Sequence, residues 1–509
     1  MRIVLSTLGI LALLSCLRAD LSAAEKIIPS LKARRDAALE SIRIEDLRNH
    51  VNFLSSDTLE GRAAGSRGGR AASIYLAEQF KKADLAGGAT PSSYIQEFSG
   101  EMRNVLGLLP GRDPVLKDEY IIVCGHFDHV GYGNSVNSHG PTGYIHNGAD
   151  DNASGVATIL EIMDAFRTLK EAPKRSVLFA FWDGEEIDLL GSKHWVRQPT
   201  VPFSRVKFVV NLDMVGRLRS DKVELIGVRT ANGMRELLSR HNQTSLLTVD
   251  FPWEVPNNSD HHVFFERRIP VLVPFTGFHA DYHRPSDDPD KLNFDGMKRI
   301  GQWMFSLLLD LAEGEDPIPG FRAQALQEGK AEQASAEYDA GGRDRWGAYW
   351  LETGSDQKGA IVTGVTKNSP AYRNGLQEGD RVLTWNGTPV NGQTASDLVR
   401  DSTSAAVLEI VRRGEAETRA IKVDLEGVPQ RFGMTWREDP VESGTLVVTH
   451  IDPDSPAARG GVRIKDRIYG IGNERTRNTS QFLQYRLDSK HPAEILLERD
   501  GRFYSVKLP

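Results

Sequence analysis

The segment Tyr120-Ile-Ile-Val-Cys-Gly-His-Phe-Asp-His129 joins an apolar run to a group of polar side chains that follows it at once. Near-continuous apolar runs of this length are typical of strands buried on both faces of a sheet. Similar strands are predicted at residues 177–182, 208–212 and 269–273, and helices at residues 71–83, 154–168, 234–241 and 296–311. Strands that alternate with helices predict an α/β fold with a mostly parallel sheet flanked by helices.

Polar segments that carry metal-ligand side chains lie at strand ends or in turns that lead into helices. They are Gly125-His-Phe-Asp-His129, Gly148-Ala-Asp-Asp-Asn-Ala-Ser-Gly155, Trp182-Asp-Gly-Glu-Glu186, Asn211-Leu-Asp-Met214 and Asp281-Tyr-His283. In open α/β sheets, ligands bind outside the carboxyl ends of the strands. We therefore expect the five segments to converge on one site.

Taken singly, each segment has an ordinary structural explanation. A histidine after a strand is commonly a hydrogen-bonded surface residue, and the acidic pair at residues 150–151 can cap a helix. Glu185 and Glu186 can lie in a solvated loop, and Asp213 can cap a turn. Five such coincidences at one edge of a sheet are improbable together, so the joint pattern favours a metal site.

The residue types suit catalysis by zinc. Zinc binds imidazole nitrogen and carboxylate oxygen, and catalytic sites keep one position open for water. Adjacent residues of an extended segment point in opposite directions, so one of Glu185 and Glu186 can bind metal while the other faces water. In the segment from His126 to Asp128 the first and third side chains share one side, so the aspartate can orient the imidazole. Two metals about 3.5–4 Å apart need a bridging carboxylate.

These segments, with Leu59-Glu-Gly-Arg62 and Gly65-Ser66 upstream, resemble peptidase family M28 in type and order over about residues 41–313. The resemblance implies the zinc exopeptidase fold and two Zn2+ ions. It implies a bridging aspartate between the ions and two further ligands for each, namely Asp151 as the bridge, His126 and Asp213 for one ion, and Glu186 and His283 for the other.

The same resemblance implies two catalytic residues, Glu185 as the general base and Asp128 as the support of His126. One departure concerns a tyrosine that some members carry shortly before the Ser-Asp-His segment. Here that segment is Ser259-Asp-His261, and residues 254–258 contain no tyrosine. Stabilisation of the transition state is therefore expected from zinc or from another donor.

Two similar blocks occupy the C-terminal half: Asn368-Ser-Pro-Ala-Tyr-Arg-Asn-Gly-Leu-Gln-Glu-Gly-Asp-Arg-Val382 and Asp454-Ser-Pro-Ala-Ala-Arg-Gly-Gly-Val-Arg-Ile-Lys-Asp-Arg-Ile468. Such self-similarity indicates two copies of one small domain, and both blocks resemble the PDZ domain, a small β-rich module. Their carboxylate-binding loops would be Trp346-Gly-Ala-Tyr349 and Arg431-Phe-Gly-Met434. Such domains take peptide or protein ligands at a sheet edge, and a purely structural or autoinhibitory pair is the alternative.

The implied activity is that of a zinc-dependent aminopeptidase. This hydrolase would act on peptides with a free N-terminus and remove their N-terminal residues by means of a zinc-activated water. Two alternatives stay open, namely a related zinc hydrolase of carboxypeptidase or glutaminyl cyclase type, and a non-catalytic PDZ scaffold. A chain that ends near Glu313 is expected to keep activity on small aminoacyl substrates.

Five parts are predicted along the chain: a signal peptide (residues 1–24), a zinc aminopeptidase domain (25–313), a linker (314–342) and two PDZ-like domains (343–426 and 427–509). A positive residue, an apolar run at residues 3–14 and small residues before position 25 are typical of a secretory leader. We expect export to the periplasm or the exterior. The segment Leu13-Leu-Ser-Cys16 also resembles a lipoprotein box, so membrane attachment is expected only if Cys16 is lipidated.

The composition sets further limits. A formal net charge of −7 over 509 residues gives no reason to expect nucleic-acid binding, which needs a basic patch. The chain has two cysteines, Cys16 and Cys124. Removal of the leader would leave only the second, so no intrachain disulfide is expected.

Overall fold

The structure is a computed structural model that describes residues 31–336, 345–351, 358–390, 398–399, 402, 405–426, 432–453, 455–472, 474–476, 482 and 493–508. The predicted leader and Cys16 lie outside these residues. The chain divides into two compact units, Met1–Gly329 and Lys330–Pro509. Within the described residues, no helix combines the length and the apolar character needed to cross a membrane.

The first unit contains one nine-stranded mixed sheet with helices on both faces. Its strands are β1 (Ala86–Gly87), β2 (Ile95–Phe98), β3 (Met102–Leu109), β4 (Tyr120–His126), β5 (Ser176–Trp182), β6 (Val206–Asn211), β7 (Lys222–Ile226), β8 (Thr248–Asp250) and β9 (Val271–Phe275). Its helices are α1 (Leu31–Ser41), α2 (Ile44–Leu54), α3 (Arg67–Lys82), α4 (Gly155–Thr168), α5 (Leu190–Arg197), α6 (Met234–Ser245), α7 (His261–Glu266) and α8 (Phe294–Glu313).

The strand order is β1-β3-β5-β4-β6-β9-β7-β8, with β2 paired to β3. The four central strands β5, β4, β6 and β9 run parallel, as do β7 and β8, whereas β1, β2 and β3 and the β7–β9 pair are antiparallel. The predicted α/β fold is confirmed, and parallel pairing is concentrated in the centre of a mixed sheet. All five polar segments follow or adjoin this parallel centre.

Side chains of the central strands alternate between two apolar cores, as the two-residue period of a strand requires. Ile121 and Val123 face the core beneath α3, α4 and α8. Ile122 and Cys124 face the core beneath α5 and α7. Cys124 is a free, buried thiol. Because both faces are covered, the runs are apolar throughout, which explains why they were recognisable in the sequence.

The four predicted strands and four predicted helices are all present, with ends shifted by a few residues. Strand β3 was not predicted. Its apolar run is interrupted by Asn104, which is fully buried and donates from its side-chain amide to the carbonyl oxygen of Gly191 at 2.9 Å. The boundary of the first unit also differs from the sequence-based one, because residues 314–329 pack on this unit.

The second unit contains two sheets of the same topology. The strands of the first are β10 (Ala348–Leu351), β11 (Ala360–Val365), β12 (Arg381–Trp385), β13 (Thr388–Pro389), β14 (Ala405–Val411) and β15 (Thr418–Asp424). Those of the second are β16 (Met434–Glu438), β17 (Leu446–Ile451), β18 (Arg467–Ile471), β19 (Glu474–Arg475), β20 (Ala493–Arg499) and β21 (Arg502–Leu508). Three short helices are also described: α9 (Lys330–Ala336), α10 (Pro370–Arg373) and α11 (Pro456–Arg459).

The repeated sequence blocks form matching structures in the two sheets. Asp380 accepts from the amide of Gln377 at 2.9 Å, and Asp466 accepts from the amide of Arg463 at 2.8 Å. Both aspartates are almost fully buried. The predicted loop at residues 346–349 leads into β10, and residues 432–434 lead into β16, whereas Arg431 and Asp454 lie outside the described residues. Two copies of one small domain are thereby confirmed.

Candidate active site

The five polar segments meet at the carboxyl ends of the parallel strands. His126 ends β4, Glu185 and Glu186 lie in the turn after β5, Asp213 lies two residues after β6, and His283 lies in the loop after β9. The remaining segment, Ala149–Ser154, forms a single wide turn that leads into α4. The predicted convergence follows from the parallel arrangement, which brings all these strand ends to one edge.

The first group of facing ligand atoms surrounds His126. Its Nε2 atom lies 3.3 Å from Oδ1 of Asp151 and 3.3 Å from Oδ1 of Asp213. His126 is almost fully buried, and these three residues could hold one metal ion. The imidazole also faces Asp128, with Nδ1 3.2 Å from the backbone carbonyl oxygen and 3.7 Å from the carboxylate. Asp128 therefore contacts the predicted ligand through both its backbone and its side chain.

The second group uses the other oxygen of Asp151. His283 Nε2 lies 3.1 Å from Oδ2 of Asp151 and 3.1 Å from Oε2 of Glu186. The two oxygens of Asp151 thus face two different imidazoles, which is the arrangement of a bridging carboxylate between paired metals. Asn152 accepts the hydrogen bond from the amide of Gly155 at the start of α4. The carboxylate of Asp151 does not accept this hydrogen bond and can face the two imidazoles.

The sequence analysis did not select His129, although it ends the first polar segment. It is fully buried, its Nδ1 atom lies 2.8 Å from Oε1 of Glu186, and it joins Asp151, Glu186 and His283 as a possible fourth metal ligand. It directly follows Asp128 and lies three residues after His126, and this second histidine in the same segment was the available signal. His129 therefore either binds metal directly or fixes the orientation of Glu186.

Asp128 also supports the glutamate pair. Its carboxylate oxygens accept from the backbone amides of Glu185 at 3.1 Å and Glu186 at 3.4 Å. The Nε2 atom of His126 lies 4.0 Å from Oε2 of Glu185, farther than the 3.3 Å that separates it from Asp151 and from Asp213. His126, Glu185 and Glu186 form a further group that could hold a metal ion. Glu185 also lines the pocket, which is the position expected of a base.

The electrostatics of the cluster favour a bound cation. Burial and the carboxylates of Glu186, Asp260 and Asp213 raise the pKa of Glu185 well above its ordinary value, against the opposing effect of His126. Burial opposes protonation of His283, but its hydrogen bonds with Asp151 and Glu186 raise its pKa to about 10. Without metal, this raised pKa favours a proton on the imidazole of His283, and metal binding would displace that proton.

A solvent-open pocket with a cavity volume of about 50 Å3 adjoins the cluster. Part of its wall is apolar and part is polar, and the lining residues are His126, Asp151, Glu185, Asp213, Met214, Ile226, Asn258, Ser259, His261, Val273, Phe275, Phe278 and Tyr282. Tyr282 stacks on the ring of His283, with ring centroids 4.0 Å apart. The hydroxyl of Tyr282 lies in the field of the acidic cluster, because burial and four nearby carboxylates all raise its pKa.

Tyr282 could supply the hydroxyl group that the segment before Ser259 lacks. Residues 254–258 contain no tyrosine, yet Tyr282 lines the pocket and places a phenol there. A tyrosine next to a histidine has no distinctive spacing, so no pattern in the sequence pointed to Tyr282.

Facing imidazole and carboxylate pairs at the parallel strand ends form a candidate metal site on an α/β sheet. Residues 104–308 of the first unit match the family model of peptidase family M28. Residues 338–411 and 447–499 match PDZ domain models. The recognition made from the sequence motifs is thereby confirmed for both halves of the chain.

Individual relatives are distant. Leupeptin-inactivating enzyme 1 of Streptomyces exfoliatus is 25% identical over 253 residues, which cover 49% of this chain and 52% of that protein, so the match spans about half the relative's length. A probable leucine aminopeptidase 1 of Trichophyton verrucosum is 24% identical over 300 residues, covering 55% of this chain and 76% of that protein. The solved LapA aminopeptidase of Legionella pneumophila is 21% identical, with a TM-score of 0.46 over 57% of this chain and 76% of that chain.

Proposed function

We propose that this protein is a di-zinc aminopeptidase that removes apolar residues from the N-terminus of peptides. The observation that carries the proposal is the position of Asp151, whose two carboxylate oxygens face His126 at 3.3 Å and His283 at 3.1 Å. Each side of this bridge has a further acid, Asp213 on one and Glu186 on the other. Two three-residue ligand sets share one carboxylate, as a paired metal site requires.

The donor chemistry fits zinc. Both sets combine neutral nitrogen donors with carboxylate oxygens, which zinc accepts in catalytic sites with an open position for water. When bound, the two ions would lower the pKa of a water and polarise the carbonyl of the substrate. The ligand atoms already lie 3.1–3.3 Å apart, so little movement of the side chains would be needed.

Glu185 and Tyr282 are the residues placed to act on the substrate. Glu185 lines the pocket without being central to either ligand set, so its carboxylate can accept a proton from a water and return it to the leaving amine. Asp128 holds the backbone of Glu185 in place. Tyr282 faces the same space and can donate its hydroxyl hydrogen to the oxygen of the reacting carbonyl.

The charge of the pocket favours a substrate amino group over a carboxylate. Three carboxylates line the pocket, from Asp151, Glu185 and Asp213, and none of the described lining residues is lysine or arginine. A carboxypeptidase substrate would present a terminal carboxylate with no basic side chain to pair with. A protonated or metal-bound amino terminus meets several acidic groups instead. This contrast is the reason for choosing an aminopeptidase over the carboxypeptidase alternative.

The apolar part of the pocket defines the side chain that the enzyme would prefer. Ile226 ends β7 and pairs with Val273 of the neighbouring strand β9, which ends at Phe275. Met214 and Phe278 are the other apolar side chains that line the pocket. Burial of an aliphatic or aromatic side chain against this wall would contribute about 1.5–3 kcal/mol. We therefore propose leucine-like and phenylalanine-like N-terminal residues as substrates, in keeping with the names of the relatives.

The test of the base is Glu185→Gln. This change keeps the shape of the side chain but removes its ability to accept a proton, so kcat should fall about 10^2- to 10^4-fold. Zinc content, measured by elemental analysis after equilibration with metal, should stay at two ions per chain. Glu161→Gln is a matched control, because Glu161 is a buried carboxylate that does not line the pocket. Wild-type kcat in Glu185→Gln would show that another group is the base.

The test of substrate class uses free and N-acetylated peptides with leucine, phenylalanine, lysine or glutamate first. Cleavage of free Leu and Phe peptides, with kcat/KM at least about tenfold above the charged ones, is expected. A chelator should abolish it and zinc should restore it. Release of the C-terminal residue from the acetylated peptides would instead establish a carboxypeptidase. Cyclisation of an N-terminal glutamine would establish the glutaminyl cyclase alternative.

We also propose export, supported by the leader-like residues 2–24, and peptide or protein binding by the PDZ domains. N-terminal sequencing of the mature protein would test the first, because cleavage before residue 24 or 25 is expected. Mass spectrometry would detect lipid on Cys16 if the protein is tethered. Binding of a C-terminal peptide library to residues 330–509 would test the second, and absence of any binding would favour a structural role.

A further inference from the structure

Arg62 is a buried arginine whose side-chain hydrogen bonds, among the described residues, all go to backbone carbonyl groups. Only 1% of the residue is exposed. Nε donates to Phe127 at 2.7 Å, Nη1 donates to Leu54 at 2.9 Å and to Asn147 at 2.5 Å, and Nη2 donates to Gly148 at 2.7 Å and to Asp151 at 3.2 Å. A buried charge normally has an acidic partner, yet the hydrogen bonds of this guanidinium go to main-chain atoms.

Leu54 ends α2, and the other four acceptors lie in or directly beside two of the segments that carry the metal ligands. Phe127 lies between His126 and Asp128 at the end of β4, and Asp151 is the bridging aspartate itself. One rigid, planar side chain thus joins the ligand segment of β4 to the turn that leads into α4. Arginine suits this task because its donors form a fixed fork, whereas lysine has a single flexible ammonium group.

The backbone around Arg62 strengthens the same connection. The carbonyl oxygen of Arg62 accepts from the amide of His129 at 3.3 Å, and that of Gly61 accepts from Gly131 at 3.1 Å. Gly61 has φ +66°, and a Cβ atom there would lie 2.5 Å from the carbonyl oxygens of Gly131 and His146. Close approach of the two backbones therefore requires glycine at this position, which explains the Gly-Arg pair in the sequence.

The guanidinium also adds positive charge beneath an acidic cluster. Burial lowers the pKa of Arg62 to about 10, while Asp151 and Asp128 favour the charged form. The group therefore remains charged at neutral pH. Its field partly offsets the repulsion between the ligand carboxylates before any metal arrives, which adds to its mechanical role.

We propose that Arg62 is a positioning residue that holds the His126 and Asp151 segments at metal-binding separation in the metal-free protein. The proposal rests on the metal site proposed above. It assigns Arg62 no contact with substrate, so its effect must appear first in metal affinity. It also requires these hydrogen bonds of Arg62 to exist before the metal binds.

Arg175 provides a matched control at the opposite end of β5. It is also 1% exposed. It donates to the carbonyl oxygens of Leu311 at 2.9 Å, Gly314 at 2.5 Å and Asp316 at 2.9 Å, and it pairs with Glu119 at 2.7 Å. Replacement of either arginine by lysine removes a fork of backbone hydrogen bonds. Only the hydrogen bonds of Arg62 lie at the metal ligands. Comparing the two variants therefore separates a general loss of stability from a loss of ligand positioning.

The experiment compares R62K and R175K in the full chain. Zinc affinity of the metal-free proteins is measured by competition with a chromophoric chelator, and Tm is measured with and without zinc. R62K is expected to bind zinc at least about tenfold more weakly, as found when supports of metal ligands are removed. R175K should lower the Tm of the metal-free protein but change zinc affinity less than twofold. Equal zinc affinities in R62K and wild type would overturn the proposal.

A second measurement needs no variant and covers the case in which R62K does not fold. Hydrogen exchange of the wild type reports the amides of His129 and Gly131, which donate to Arg62 and Gly61. Both should be protected equally with and without zinc. Rapid exchange in the metal-free protein would show that zinc, not Arg62, brings the segments together. A wild type that binds no zinc would instead refute the proposed function, and the positioning role with it.

Discussion

Removal of residues 314–329, which we name the strap, should destabilise the peptidase unit although the sequence assigns them to a linker. Glu328 in the strap forms a two-point ion pair with Arg229, with contacts of 2.8 and 2.9 Å, and Arg322 pairs with the same carboxylate. Side-chain exposures of Arg229 and Glu328 are only 7% and 13%. A chain that ends at Glu313 would leave Arg229 buried without this carboxylate.

The size of the effect follows from that burial. Removing one partner of a buried ion pair typically costs 3–5 kcal/mol. The truncation also removes Gly314 and Asp316, whose carbonyl oxygens accept from Arg175, and Ala325, which is buried in the core beneath α5 and α7. For a domain of this size, 3–5 kcal/mol corresponds to a Tm lower by about 6–10 °C.

The strap contacts Arg229, which lies beside segments that line the substrate pocket, so activity should fall as well. Arg229 stacks on Trp253, with the guanidinium 3.7 Å from the ring centroid. Trp253 belongs to the loop that carries Asn258 into the pocket, and Arg229 follows the pocket residue Ile226 by three positions. Loss of the strap should therefore loosen two sides of the pocket and raise KM.

The assay compares fragments that end at Glu313 and at Gly329 with full-length Glu328→Gln. Calorimetry gives the Tm of the peptidase unit, and hydrolysis of a leucine chromogenic substrate gives KM. The fragment ending at Gly329 should match the full chain, whereas the shorter fragment should melt about 6–10 °C lower. Glu328→Gln should reproduce part of this loss. Equal melting of the two fragments within about 1 °C would refute the reasoning, and the linker would then begin where the sequence placed it.

Three further changes test the site and the charge distribution. Tyr282→Phe should lower kcat about 10^2-fold with little change in KM, because a donor to the developing oxyanion is lost, and an unchanged kcat in steady-state kinetics would exclude the hydroxyl. His129→Ala should weaken binding of one zinc ion about 10- to 100-fold, because Glu186 loses its 2.8 Å contact; two ions bound with wild-type affinity in calorimetric titration would contradict this. Burial raises the pKa of Glu161 to about 7 from 4.5, so the native state binds its proton more tightly than the unfolded state. Its ionised form therefore destabilises the fold above pH 7, and Glu161→Gln should raise stability there by up to about 3 kcal/mol, an effect that vanishes as pH falls to 4.5. Equal gains at both pH values in thermal unfolding would exclude the carboxyl group as the cause.

The centre of the fold was predictable because both faces of its strands are buried. Residues 120–124 and 177–182 are apolar at every position, and the two cores on either side explain why. Parallel strands place their carboxyl ends together, so the polar residues after each run could be assigned to one site. The antiparallel strands could not be predicted in this way. Strand β3 contains the buried Asn104, which hydrogen-bonds to Gly191 in another segment. No local sequence pattern indicates such a distant partner.

The candidate ligands were predictable for a related reason. Histidine and acidic residues directly after buried strands have few structural uses, so their repetition is informative. Asp128 was expected to face His126, and the 3.2 and 3.7 Å contacts bring the two together. Its further role, as acceptor for the amides of Glu185 and Glu186, depends on a turn whose shape the sequence does not reveal.

Side chains that bond to backbone atoms are difficult to recognise from a sequence. The bonds of Arg62 end on carbonyl oxygens, which every residue possesses, so no partner residue type marks its role. The role of Glu328 could not be predicted for another reason. Its partner Arg229 is 99 positions away, and the sequence around Glu328 resembles a linker. The chemical groups of this site are therefore recognisable in its motifs. The motif Leu59-Glu-Gly-Arg62 contains the arginine, but the sequence does not show that its side chain bonds to the backbone of the ligand segments. A change at Arg62 should alter metal affinity before it alters the chemistry, which is the reverse of what is expected for Glu185.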